Sequence, residues 1–221
     1  MSDLWDPIRL TLLLALSSVL VLMLIATPLA WWLATTRSRA KPLVEAMTAL
    51  PIVLPATVLG FYLLVLMSPT TPIGAAFLEV TGSTLTFSFA GLLVASVLHS
   101  LPFAVQPLQT AFSAVGRGVL ETAASLGAHP FDAFRSIAVP LSRRGFLTAA
   151  VLSFAHSIGE FGVVLMVGGN IPGRTRTISI EIYNAVETLD YETAHILSAG
   201  LLFATVVLLV PIYALGQSRR G

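Results

Sequence analysis

Five stretches of this chain carry no Asp, Glu, Lys or Arg, and they constrain its fold more than any other feature. They run between Arg9 and Arg37, Glu45 and Glu79, Glu79 and Arg117, Arg144 and Glu160, and Glu192 and Arg219. A helix that crosses a bilayer needs roughly 20 apolar residues at about 1.5 Å each. Four stretches reach that length alone, and the one ending at Glu160 continues as Phe161 to Val167. Only 10% of the 221 residues are charged, against about 25% in a soluble domain. Such a chain cannot cover a globule with polar surface. The expectation is an all-α membrane protein, a single domain over 1–221, with about five transmembrane helices. Their expected ranges are 8–35, 43–67, 85–110, 145–168 and 195–217.

Pro28, Pro51, Pro55, Pro102, Pro107 and Pro211 fall inside these ranges. Breaks are tolerated in lipid where neighbours or water re-satisfy the backbone. Two prolines in one span, Pro51 and Pro55, imply either a kink that shapes a cavity or a packing adjustment. The start, Ser2-Asp3-Leu4-Trp5-Asp6, is acidic, whereas a cleaved signal peptide opens with basic residues. The first helix is therefore read as a retained span.

Lys and Arg set the orientation. Arg37, Arg39, Lys41, Arg117, Arg135, Arg143, Arg144, Arg219 and Arg220 fall on one side, and Arg9, Arg174 and Arg176 on the other. The richer side is expected in the cytoplasm. This puts the N-terminus outside and the C-terminus inside, as an odd number of spans requires. Most acids, Asp3, Asp6, Glu79, Glu181, Glu187, Asp190 and Glu192, then lie outside. The outer connection should hold an amphipathic helix over about 177–192, with Ile178, Ile182, Val186 and Leu189 as its apolar stripe. Such a helix roofs the pore, meets an external partner, or simply rests at the interface.

The cytoplasmic connection, about 111–144, reads as two short helices. The first spans 113–126, with Gly127 as its left-handed cap. Pro130 opens the second and Pro140 ends it. Ala123 and Ala124 leave a close-packing face for another protein.

Glu121-Thr122-Ala123, then Gly127, Ile137 and Pro140, match the motif Glu-Ala-Ala, three residues, Gly, nine residues, Ile, any residue, Leu-Pro. The segment resembles the cytoplasmic loop of binding-protein-dependent ABC importer permeases of the type I fold. Thr122 and Val139 depart conservatively from that motif. The resemblance implies a coupling helix seated in a cleft of a separate ATPase subunit. Glu121, Thr122, Ala123, Ala124, Leu126, Gly127, Ile137 and Pro140 would belong to that contact. It also implies two ATPase subunits that hold ATP and Mg, a second copy of this chain, and an extracytoplasmic oxyanion-binding protein. No cofactor or metal is expected on this chain.

A second stretch runs from Ser153-Phe154-Ala155-His156-Ser157-Ile158-Gly159-Glu160-Phe161-Gly162 to Gly168-Gly169-Asn170-Ile171-Pro172-Gly173-Arg174-Thr175, then Ile180-Glu181-Ile182-Tyr183. It is similar to the sulfate, tungstate and molybdate branch of those permeases, and to its molybdate members most. The resemblance implies import across the inner, cytoplasmic membrane by alternating access. Tungstate and sulfate or thiosulfate are the alternative cargoes.

The spans contain almost no Lys or Arg, so nothing in them would hold a divalent anion tightly. A pathway needs sites weak enough to release their cargo, and high affinity is then expected in the external binder. Neutral candidates for the pathway are Thr48, Thr57, Ser100, Gln106, Gln109, Ser153 and Ser157, each of which equally suits an interhelical hydrogen bond. Glu160 is the exception, an intramembrane carboxylate flanked by Gly159 and Gly162. A bare carboxylate repels an oxyanion, so Glu160 is read as a gate or assembly residue, protonated or hydrogen-bonded, and not as a cargo ligand.

Other classes fit poorly. Ser153 and His156 are near in sequence, while His99, His129 and His195 look scattered, and neither Gly-x-Ser-x-Gly nor His-Glu-x-x-His occurs. A membrane protease is thus disfavoured. The chain lacks Gly-x-x-x-x-Gly-Lys-Ser/Thr, so an ATPase must come from elsewhere. A net charge of +1 offers nothing to nucleic acid, and the absence of cysteine excludes disulfides and thiolate metal sites.

Overall fold

Three long elements meet along one seam, and small side chains let them approach. The computed structural model describes residues 4–217, apart from the side chains at 211–213 and 215–217. Asp3, Arg219 and Arg220, used above to infer orientation, lie outside the described residues. The seam joins α1 (Trp5–Thr35), α5 (Phe89–Val115) and α9 (Arg143–Gly159). On α1 the buried positions are Thr11, Leu14, Ala15, Ser18, Leu22, Ala26, Ala30 and Leu33, a stripe of helical period. Leu20 and Leu24 on its other side are largely exposed, Leu24 at 76%. Small residues interleaved with Leu14, Leu22 and Leu33 inside, and further leucines outside, is an arrangement suited to lipid, where packing rather than water exclusion joins helices. Gly145 shows how close the approach is: a Cβ there would lie 2.3 Å from that of Ala111 on α5.

Between α1 and α5 the chain forms α2 (Lys41–Val53), α3 (Ala56–Leu66) and α4 (Pro72–Thr81). The expected span 43–67 is not continuous. α2 and α3 are bent by 110° at Leu54–Pro55, because Pro55 cannot donate to the ladder and restricts the residue before it. α4 was not expected. Thr71 caps it by accepting from Gly74 N, Pro72 stands in its first turn, and Gly82 closes it at φ +69°.

The expected span 145–168 is also broken. α9 ends at Gly159, and α10 (Gly162–Gly168) restarts after Glu160 and Phe161. α10 packs against α3, where a Cβ on Gly162 would come within 2.8 Å of Ala56 Cβ and one on Gly60 within 2.7 Å of Met166 Cβ. The two broken segments therefore lie break to break. α11 (Ile178–Glu187) and α12 (Tyr191–Gln217) complete the outer connection and the last span.

Among the described residues, α1, α5 and α12 are each long and apolar enough to cross a membrane. The number rises to five if two bent pairs count as one span each: α2 with α3, and the helical run 130–141 with α9. The run 130–141 lies in the basic connection, so α9 is better completed by α10. At 17 residues α9 alone is about 25 Å long, a little short of a hydrocarbon core of about 30 Å.

Candidate functional site

The connection after α5 folds as α6 (Arg117–Ser125), α7 (Pro130–Ala133), a π-helical turn (Phe134–Ala138) and α8 (Val139–Leu141). α5 itself runs on to Val115, so the first short helix starts later than expected. Gly127, at φ +86°, closes α6 as foreseen. Its N–H donates to Ala124 O at 3.0 Å and the N–H of Ala128 to Ala123 O at 3.0 Å, the paired bonds of a Schellman end. Thr122 turns its hydroxyl back onto Gly118 O at 2.8 Å, so the departure from alanine leaves no unsatisfied group. Pro130 opens α7 beside the capping ring of His129. Pro140 does not end the helix; it sits inside α8, and the wider π turn before it accommodates the missing donor.

This hairpin is anchored on one side and bare on the other. Phe134 packs on Trp31 at 5.2 Å and on Phe112 at 6.0 Å, while Phe112 meets Phe146 at 5.8 Å. Four aromatic rings thus tie it to the ends of α1, α5 and α9. Ala138 is fully buried in the same core. Outward, Glu121, Thr122 and Ala124 are exposed, as are Leu126 at 84% and Phe131 and Leu141. Ala123 is the exception, buried against the fold rather than offered to a partner. Ile137 is half-buried and Pro140 exposed. A groove lined by Trp31, Leu120, Glu121, Ala124 and Pro130 runs along this face.

The opposite end of α1 carries the connection from α10 to α12. Thr11 Oγ1 accepts from Ile178 N at 2.8 Å, and Arg176 bridges Asn170 Oδ1 at 2.6 Å and Glu181 Oε2 at 3.1 Å. The stripe Ile178, Ile182, Val186 and Leu189 is not the buried face of α11. Ile180, Glu181 and Ala185 are buried instead, while Val186 and Leu189 are exposed. The reason is Glu181: paired with Arg176, it goes inward and turns the helix with it. Leu189 already stands past the helix end at φ +62°. Asp190 accepts from the Thr193 side chain and from Thr193 N, which lowers its pKa. A hydrogen bond from Tyr183 to Glu187 raises that of the phenol.

Between the two ends lies a polar cluster. α5 presents Ser96, His99, Ser100 and Phe103, and α9 presents Ser153, His156 and Ser157, continued by Glu160; both sets follow one helical face. Ser100 Oγ lies 2.9 Å from His156 Nδ1 and 3.2 Å from Ser157 Oγ. Ser96 Oγ donates to Ser157 Oγ at 3.3 Å. His99 Nδ1 lies 3.2 Å from Glu160 Oε1. Phe103 stacks on His156 at 4.1 Å. Glu160 is 5% exposed and its Oε2 has no hydrogen-bond partner among the described residues. His99 is therefore not scattered; it meets His156, with ring centroids 4.8 Å apart.

The other pathway candidates are elsewhere. Thr48 is buried and donates to Glu45 O at 2.9 Å, Gln109 donates to Glu45 Oε1 at 2.7 Å, and Gln106 and Thr57 are exposed. Ser153, on the cluster's own face of α9, is fully buried and its hydroxyl has no partner among the described residues. Gly159 is exposed beside Glu160.

Known proteins match along nearly the whole chain. The family described as binding-protein-dependent transport system inner membrane component matches residues 25–218. The molybdenum transport system permease protein ModB of Azotobacter vinelandii is 53% identical over 214 residues, covering 97% of this chain and 95% of that protein. The sulfate transport system permease protein CysT of Synechocystis is 34% identical over 207 residues, covering 94% of this chain and 72% of that protein. Among solved structures, a chain of a bacterial alginate ABC transporter in complex with a pentasaccharide-bound periplasmic protein superposes with a TM-score of 0.72. It is 19% identical and is aligned over all of this chain and 80% of its own length.

Proposed function

The chain belongs to the family of binding-protein-dependent transport system inner membrane components, and on that premise we propose that it is the permease subunit that carries molybdate inward across the cytoplasmic membrane. One observation carries the cargo: 53% identity with a molybdenum permease, end to end. A sulfate permease is related more distantly, so sulfate is the second reading. Driving force comes from two separate ATPase subunits that bind ATP and Mg. Cargo arrives on an extracytoplasmic oxyanion-binding protein. Two copies of this chain line the path, since one coupling hairpin per chain then serves one ATPase each.

The coupling reading is supported by the hairpin from Arg117 to Leu141. It exposes Leu126, Phe131 and Leu141 on a segment held at its base by aromatic packing. Exposed apolar side chains beside Glu121 and Arg135 suit a protein partner, where buried apolar contact and a charge-assisted bond act together. The aromatic base gives closure of that partner a rigid route to α1, α5 and α9. The cluster of α5 and α9 supplies hydroxyls and imidazoles with no Lys or Arg among them. This suits cargo that must be released rather than held.

The test is uptake of labelled molybdate by the permease reconstituted with its ATPase and binding protein, in competition with tungstate and sulfate. ATP-dependent molybdate uptake, blocked by excess tungstate and little affected by sulfate, is expected. Sulfate uptake that ignores molybdate would move the chain to the second reading.

A further inference from the structure

We propose that His99, His156 and Glu160 form a binding site for a divalent transition metal of the zinc class, at the break between α9 and α10. One ligand atom from each residue lies within 4.8 Å of the other two. His99 Nδ1 and Glu160 Oε1, 3.2 Å apart, already have the spacing of two ligands on one tetrahedral zinc with bonds of about 2.0–2.2 Å. The third ligand, up to 4.8 Å away, has to close by about 1.5 Å to reach the same geometry, an adjustment within reach of one imidazole. Two imidazoles with one carboxylate is a donor set that zinc accepts with a fourth position left open. Calcium and magnesium want oxygen ligands instead.

A second observation is independent of the spacing. Glu160 is 5% exposed and its Oε2 has no partner among the described residues. A buried carboxylate oxygen left unpaired is costly, and a cation beside it removes that cost. The surroundings are those of a supported site. Ser100 Oγ, 2.9 Å from His156 Nδ1, fixes the orientation of that ring, as hydrogen bonds outside the first shell do for metal-bound histidines. Phe103 stacks on the same ring and limits water on that side. A way in exists: Gly159 is exposed, with open space beside its Cα, and the His99 side chain is 16% exposed.

A bound ion joins α5 to the end of α9 and the start of the α9–α10 break. It therefore holds still the break at Glu160 between α9 and α10. The cation site does not depend on the cargo, and its test needs neither molybdate nor ATP. Purified permease is stripped with EDTA and titrated with zinc chloride by calorimetry, with a fluorescent zinc chelator as a second readout. The expected result is one zinc per chain. Glu160→Gln, close to isosteric, and His156→Gln should each weaken binding at least tenfold. Ser100→Ala should weaken it less. The pair of substitutions His129→Ala and His195→Ala, away from the cluster, should leave it unchanged. Monodisperse elution in detergent selects the variants that fold, and Glu160→Gln carries the test if a histidine variant does not. No zinc uptake by the wild type overturns the site. So does uptake that Glu160→Gln leaves intact, or uptake lost only with His129 and His195.

Discussion

At the scale of single residues, the motif positions divide by what each side chain touches. Thr122 satisfies itself on Gly118 O and needs no partner, which is why the departure from alanine changes little. Gly127 cannot be replaced so easily. At φ +86° any side chain adds about 1–2 kcal/mol of strain, and a β-branched one more. Relief would unwind the end of α6 and re-aim Leu126 and Glu121. Gly127→Val should therefore insert and fold while losing most molybdate uptake, with ATP hydrolysis by the assembled complex retained. Wild-type uptake per ATP hydrolysed in that variant would refute a coupling role. The motif and its cap were legible because capping is local: Gly127, Pro130 and the small residues before them announce the turn. His99 was not legible in the same way. Its partners come from a helix 57 and 61 positions further on, at His156 and Glu160. A signal did exist, since Ser96, His99, Ser100 and Phe103 repeat the face spacing of Ser153, His156, Ser157 and Glu160. Only the crossing of α5 with α9 turns two faces into one cluster. Glu181 shows the converse. It stands off the expected apolar stripe, yet it is buried on Arg176, because a paired carboxylate can go inward where an unpaired one would not.

Among the elements, length and hydropathy located every segment long enough to cross a membrane, and backbone punctuation decided which of them stayed whole. The bend at Leu54–Pro55 follows from a proline that the sequence displays. The end of α9 has no proline, and its break rests on Gly159 and Gly162 beside the buried carboxylate of Glu160. α4 was missed although Thr71, Pro72 and Gly82 are start and stop signals, because the segment is too short to cross a membrane and reads as part of a loop. The two breaks then find one another through missing side chains. A Cβ on Gly162 would come within 2.8 Å of Ala56 Cβ, closer than two carbons tolerate, so Gly162→Ala should overpack the contact at a cost of about 1–3 kcal/mol. For a chain of this size that lowers the melting temperature by about 2–4 °C per kcal/mol. Adding Ala56→Gly removes the clashing carbon and should restore most of the loss. Thermal unfolding of the single and double variants in detergent reads this directly. A single variant as stable as wild type would mean that α3 and α10 do not meet through these residues.

Over the whole molecule, large apolar side chains stand on the outside as well as in the core, unlike an ordinary globule. Alanines such as Ala26, Ala30, Ala104 and Ala149 stand in the seam of α1, α5 and α9 beside Leu22, Leu33, Leu108 and Phe112, while leucines such as Leu20 and Leu24 face outward. That pattern was only half legible, because apolar residues occur on both sides of a membrane helix and periodicity alone does not say which side is inside. The two ends of the molecule were more legible, since charge marks them. The hairpin carrying Arg117, Arg135, Arg143 and Arg144 packs at Trp31, near the C-terminal end of α1. The connection carrying Arg174 and Arg176 packs at Thr11, near the N-terminal end. The two sets of cations are thus held about a helix length apart, and the positive-inside tendency assigns the richer one to the cytoplasm. Because the chain contains no cysteine, single introduced thiols report this without background. Ser125→Cys, exposed on the hairpin, should resist a membrane-impermeant maleimide in intact cells and react after permeabilisation. Thr188→Cys, exposed on the outer connection, should react before it. The reverse order of labelling would invert the chain in the membrane, and with it the side that presents Glu121.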